Sequence, residues 1–304
     1  MAQDVATNTQ AAITTVSSPV SVSVATKAMS SVRGLIGSGL STTAGASGDR
    51  MAGVGVWAKV GNTNVDSDVS GMAYDGNTVT GLIGVDKKMN ANLVIGAALM
   101  GENTDLDTTF NTGTFEASGV SFMPYVRYTL PNRVDLVGLA GISRLSNDTK
   151  RGAVTGSYDS TRFMMQAGGS KNFVVKNEIV VRPSLGMTYV HTRNDAFTES
   201  DATAVAKDTQ TVSWADVGVH VSRTYGKHTP FLNLTGNYFV KAPESTLLAS
   251  GQYYASDKGS LGLGLGNSIA VNDHLSLSLE ANAASITDSD VSIFDISGQL
   301  RWQW

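Results

Sequence analysis

The sequence predicts an all-β protein, a twelve-stranded antiparallel transmembrane β-barrel with an N-terminal α-helix plugging the pore. Three observations lead there. From residue 51 onward, apolar residues alternate with small or polar ones at a period of two, and successive side chains of a strand face opposite sides. Tight turns and longer polar loops take turns between the alternating runs. Charge is scarce: Asp, Glu, Lys and Arg make up 16% of the 304 residues, against about a quarter in an ordinary soluble domain.

The first fifty residues differ from the rest and contain no aromatic side chain. Residues 1–23 are rich in Ser, Thr, Val and Ala, with Pro19, and read as extended or poorly ordered. Over 24–40, Val24, Met29, Val32, Leu35 and Ile36 recur near helical spacing, with Ala25 and Ala28 between them. Gly34 and Gly37 weaken that helix signal, and its positive charges are Lys27 and Arg33. Residues 41–50 are small and form a linker. Residues 1–10 lack the basic start and apolar core of a secretory signal, which fits a cytoplasmic chain or a mature segment.

The alternation then predicts strands over 51–64, 73–87, 92–104, 115–130, 133–147, 156–174, 178–192, 209–224, 229–241, 253–271, 274–286 and 289–304. In the fourth, Val120, Phe122, Pro124, Val126 and Tyr128 alternate with Ser121, Met123, Tyr125, Arg127 and Thr129. In the last, Phe294, Ile296, Gly298, Leu300, Trp302 and Trp304 alternate with Asp295, Ser297, Gln299, Arg301 and Gln303. The third and fifth have mixed faces. Connections after the even strands are tight, as at 131–132 and 272–273. Those after the odd strands are generally longer, as at 193–208. Such asymmetry, with an even strand count, is that of an outer-membrane barrel with both ends at the periplasm.

Composition excludes other classes. No apolar run approaches the roughly 18 residues of a membrane-crossing helix. There is no cysteine, hence no disulfide scaffold and no Cys-ligated metal site. Net charge is −4 without a basic run, so nucleic acid is not a partner. A soluble sandwich or lipocalin-like barrel would pack its apolar face inside. Twelve long strands enclose more space than side chains fill, and the polar face lacks the Lys/Glu cover of a soluble surface. Arg127, Arg162, Arg182, Asp216, His220 and Glu280 are therefore candidate lumen-facing residues. Charge on the lipid face would cost about 2–4 kcal/mol near the midplane. Tyr128, Phe173, Tyr225 and Phe231 beside the short turns, with Trp302 and Trp304, form a candidate periplasmic aromatic belt.

A helix, a linker, twelve amphipathic strands and a terminal aromatic strand resemble the autotransporter β-domain, the translocator of type Va secretion. GVGVWAKVG (53–61) and YDGNTVTGLIGVDKKMNANLVIGAAL (74–99) look like that family's early hairpin. FDISGQLRWQW (294–304) resembles its C-terminal signal for the barrel-assembly machinery, carried here by Phe294, Ile296, Leu300, Trp302 and Trp304. The resemblance implies a barrel in the outer membrane of a Gram-negative bacterium, in contact with outer-membrane lipid and lipopolysaccharide. It implies periplasmic chaperones and the barrel-assembly machinery as partners, and export of the chain's own N-terminal passenger to the cell surface. The three parts become a passenger remnant or appended tail (1–23), a pore helix and linker (24–50) and a translocator barrel (51–304). Lys27 and Arg33 would then meet inward acids such as Asp216 or Glu280. Some members cut their helix after an Asn beside acidic lumen residues, but the one Asn ahead of residue 51 is Asn8, which does not support self-cleavage.

No catalytic residue, cofactor site or metal site is predicted. Asp216, His220 and Ser222 share one face of a strand, but positions i and i+4 lie roughly 13 Å apart at about 3.3 Å per residue, too far for a triad. Gly262, Gly264 and Gly266 lack the dinucleotide-binding spacing and any following helix; they suit a lumen wall lying close to a plug. Three functions compete: a passenger translocator, a porin or solute channel, and a barrel hydrolase. The helix and linker ahead of the first strand favour the first.

Overall fold

The computed structural model describes residues 53–68, 73–242, 246–247, 253–254, 258–285 and 291–304. Twelve long strands run through them: β1 (Val54–Ser67), β2 (Tyr74–Lys88), β3 (Leu93–Thr108), β4 (Gly113–Thr129), β5 (Val134–Arg151), β6 (Val154–Lys171), β7 (Val180–Asn194), β8 (Asp208–Ser222), β9 (His228–Lys241), β10 (Gly259–Ala270), β11 (Leu275–Ala284) and β12 (Val291–Gln303). Each pairs antiparallel with the next, and β12 pairs back onto β1, with Gly55 opposite Gln303 and Ser67 opposite Val291. Closure leaves no open sheet edge through the apolar band, so the strands' N–H and C=O groups there are paired across the sheet, as hydrocarbon demands. Residues 1–50, with the expected helix, its plug and its candidates Lys27 and Arg33, lie outside the described residues.

Through the middle of the barrel, apolar side chains point out. Val60 and Ile83 are each 60% exposed and Leu185 66%. Water would penalise this. In lipid, each such side chain regains about 1.5–3 kcal/mol of burial. Trp304 N–H donates to the Val54 carbonyl at 3.2 Å, so the two barrel ends share the rim that holds turns 89–92, 130–133, 223–227 and 271–274. Asparagines organise these turns. Asn90 Oδ1 accepts the N–H groups of Asn92 and Leu93, and Asn272 Oδ1 those of His274 and Leu275, the Asx device that closes short turns.

The opposite rim departs from expectation. The connections after β3 and β5 are not long. One is a short turn around Thr109–Asn111, the other the pair Gly152–Ala153, where Gly152 takes φ +57°. The strands continue further than the alternation indicated because its polarity inverts. Beyond the apolar band, β1 to β6 turn Asp66, Asp105, Asp107, Glu116 and Asp148 outward, while Val65, Tyr74, Leu106, Phe115, Leu145 and Tyr158 are buried inside. An outward aspartate marks the strand leaving hydrocarbon, whereas a sequence reader takes it for the loop. The long connections here are 195–207 and 242–258. The first folds into a small ribbon in which Phe197–Thr198 pairs with Ala204–Val205.

Candidate functional site in the barrel lumen

The inner face is built from the half of each alternation that carries the polar residues, and Leu82, Met100, Met123 and Met164 are buried on it as well. Near the rim shared by the two barrel ends, Asp86 on β2 accepts two hydrogen bonds from the Arg301 guanidinium on β12, at 2.7 and 2.8 Å. Tyr125 on β4 donates its hydroxyl to the same carboxylate at 3.0 Å, and Trp57 Nε1 on β1 donates to the Tyr125 hydroxyl at 2.9 Å. Glycines make this possible. A Cβ on Gly55 would stand 2.5 Å from the Arg301 guanidinium, and Cβ atoms on Gly84 and Gly96 would strike the Trp57 and Tyr125 rings at 2.3 Å. The two rings lie flat against the wall over strands that carry no side chain beneath them.

Midway along the lumen, Arg162 on β6 reaches Glu102 on β3, with both carboxylate oxygens 2.5–2.6 Å from Nη2. Their side chains are 1% and 2% exposed. The two strands between them contribute Ser121 and Ser143, hydrogen-bonded to each other at 2.7 Å. On the far wall, Asn233 on β9 joins His220 Nδ1 on β8 at 2.7 Å to Glu280 on β11 at 2.8 Å. That bridge crosses β10, whose inward residues are the glycines noted in the sequence. A Cβ on Gly264 would meet Asn282 at 2.1 Å, and one on Gly266 the Phe231 ring at 2.2 Å. The glycine stripe thus makes room for side chains of the neighbouring strands.

All six lumen candidates alternate with the outward apolar residues. Arg162 pairs with Glu102; His220 and Glu280 meet through Asn233. Arg182 stands opposite His220 in the ladder, Asp216 is buried on β8, and Arg127 is partly buried on β4. The His220 ring stacks on Phe231 at 5.3 Å. Phe231 is therefore inside, and it is Pro230 and Leu232 whose side chains alternate to the outside, so it does not join the aromatic belt. Phe294, Ile296, Leu300 and Trp302 lie on the outer face of β12 and Trp304 just past its end, each more than a third exposed. Trp302 stacks on His274 and meets Trp304 edge-on. Sequence reasoning missed Asp86, Glu102, Trp57 and Tyr125. Their alternation signals the inner face, but nothing local signals their partners. Among the described residues no three His, Asp or Glu side chains gather as metal ligands.

At the other mouth, Arg151 grips the 195–207 ribbon. Its Nε and Nη2 donate to Glu199 at 3.1 and 2.7 Å, and Nη2 reaches Asp201 at 3.4 Å. Phe197 stacks on Tyr158 at 4.9 Å and fills the space above Gly156. Asp201 accepts the Thr203 N–H at 3.0 Å, and this bond with the Arg151 charge holds its carboxyl below the usual value.

A closed antiparallel barrel, apolar outside and charged within, is an outer-membrane protein. The chain belongs to the autotransporter β-domain family, whose model matches residues 56–282. Three solved translocator domains are similar. That of the autotransporter NalP from Neisseria meningitidis is 17% identical with a TM-score of 0.71, covering 92% of this chain and 97% of its own. The β-domain of the Bordetella autotransporter BrkA is 18% identical at a TM-score of 0.69, covering 83% and 100%. The transport unit of AIDA-I from Escherichia coli is 11% identical at a TM-score of 0.67, covering 88% and 96%. No curated protein matches the chain. The family is one of translocator barrels rather than enzymes. The protein is thus an outer-membrane translocator barrel that exports a passenger to the cell surface.

Proposed function

We propose that residues 24–40 lie as a helix in the lumen, and that 41–50 join it to β1 at the periplasmic rim. The passenger then leads out of the opposite mouth and stays anchored by the barrel. The observation that carries this reading is the inner wall. Through the membrane it mixes buried apolar side chains such as Leu82, Met100, Met123 and Met164 with polar ones, and beyond the Asp86–Arg301 and Glu102–Arg162 pairs it bears Asp216 and Glu280 on separate strands. Such a wall suits a segment that carries Lys27 and Arg33 beside the apolar Val24, Met29, Val32, Leu35 and Ile36. A buried cation is tolerated where acids and hydroxyls surround it.

In this reading Phe294, Ile296, Leu300, Trp302 and Trp304 present the assembly machinery with an outward apolar row ending in aromatics, after periplasmic chaperones have kept the strands apart. The test compares planar-bilayer conductance of the intact chain with a form lacking residues 1–45. A rise on deletion supports the plug. Equal conductance sinks it, and if the intact chain already conducts freely, the solute-channel reading takes its place. A reporter fused ahead of residue 1 and probed with external protease reads export separately.

A further inference from the structure

On the outer wall, Gly81 of β2 and Gly101 of β3 stand opposite each other in the ladder, and a Cβ built on either meets nothing within 4 Å. Their cross-strand row runs Val60, Gly81, Gly101, Val120, Arg144, Thr161, Arg193 from β1 to β7. The next row toward the periplasm carries Ile83, Leu99, Phe122, Ile142 and Phe163. The next row toward the surface carries Val79, Asn103, Ser118, Ser146 and Asp159. The paired glycines therefore leave a hollow of about 800 Å³ where the apolar belt gives way to polar wall.

Arg144 lines the hollow, and a second outward cation, Arg193, stands two strands further along the same row. Arg144 and Arg193 flank Thr161 on strands two apart, their backbones about 10 Å apart at about 4.8 Å per strand. Arg144 donates to the Thr161 hydroxyl at 3.3 Å, and Arg193 lies 3.6 Å from Asp195 while remaining 59% exposed. The acids on this face are Asp159 in the next row out, Asp105, Glu116 and Asp148 in the row beyond it, where Asp148 accepts from Ser157, and Asp195. A guanidinium grips phosphate with paired, charge-assisted hydrogen bonds. A groove bare of side chains takes a hydrocarbon chain.

We propose that this hollow seats one molecule of bis-phosphorylated, multiply acylated glucosamine lipid from the outer leaflet. An acyl chain crosses Gly81 and Gly101 between Val60 and Val120, and the headgroup phosphates meet Arg144 and Arg193. Two cations rather than one select this lipid over a single-phosphate phospholipid. The assignment rests on the translocator reading only in placing this rim at the cell surface.

The test titrates the folded full chain in mild detergent with bis-phosphorylated lipid A, its monophosphorylated form and phosphatidylglycerol, read by native mass spectrometry. One bound bis-phosphorylated molecule is expected, preferred over the other two. Arg144→Gln with Arg193→Gln should weaken it about tenfold, the scale of a lost charge-assisted contact, and erase the preference over the monophosphorylated form. Gly101→Leu should weaken both glycolipids while leaving folded migration on unheated gels unchanged, because its side chain enters only the hollow. Equal binding of phosphatidylglycerol, or unchanged binding in either variant, overturns the proposal. Reporter export by the same variants is scored in parallel, so a failure of translocation is not mistaken for a failure of lipid binding.

Discussion

Arg301 on the last strand reaches across β1 to Asp86 on the second, and the two form a bidentate pair over Gly55. The pair spans the seam where β12 meets β1, which is the contact that turns a sheet into a barrel. Removing one partner strands the other, 6–11% exposed, at a cost of about 3–5 kcal/mol. Arg301→Gln or Asp86→Asn should lower the temperature at which the compact band on unheated gels converts to the slow one. The double variant should recover part of the loss. No shift in either single variant would remove the pair from any role in closure.

Glu102 and Arg162 form the more deeply buried pair, and the same asymmetry applies. Glu102→Gln or Arg162→Met alone leaves an uncompensated group and should destabilise the barrel by about 3–5 kcal/mol, whereas Glu102→Leu with Arg162→Met should be close to neutral. Urea unfolding of the refolded protein in detergent measures all three. A double variant as unstable as the singles would mean that the wall needs the charges themselves.

Gly84 and Gly96 lie beneath the Trp57 and Tyr125 rings, so bulk at either position must push an aromatic off the wall. Overpacking of this kind costs about 1–3 kcal/mol. Gly84→Leu should slow refolding into micelles and be partly relieved by Trp57→Ala. Relief that fails to appear would point to the glycine backbone rather than the ring.

The 195–207 ribbon should loosen in acid. Asp201 is held below its ordinary value of 3.8, so its contribution is fully present above that value and fades as pH falls through the depressed one. Hydrogen exchange at the Thr203 amide should accelerate, relative to the intrinsic rate, from pH 6 to about pH 3. Arg151→Gln should loosen the ribbon already at neutral pH. Exchange indifferent to both changes would leave the Phe197–Tyr158 stack as its anchor.

Outward positions supply a control on orientation. Leu99→Lys, at the apolar belt, should cost about 2–4 kcal/mol, and Asn103→Lys, one pleat pair nearer the surface, about 0–1 kcal/mol. Equal costs would contradict the belt's placement.

The period-two alternation determined the strand number, the outward face of each strand and the rim holding both ends, because a side chain's facing is a local property and lipid tolerates only one kind. Val120 to Tyr128 and Phe294 to Trp304 show this directly. The same rule misled at the upper ends of β3 and β5, where leaving hydrocarbon inverts the polarity and strand reads as loop. It also left Phe231 on the belt, since an aromatic beside a turn suits either face until its neighbours fix the phase. Tertiary structure alone decided who meets whom. Asp86 and Arg301 lie 215 residues apart, Glu102 and Arg162 60, and Asn233 reaches Glu280 only because β10 offers a bare glycine stripe. Those meetings depend on the stagger at which twelve strands close, a global quantity that no single strand encodes.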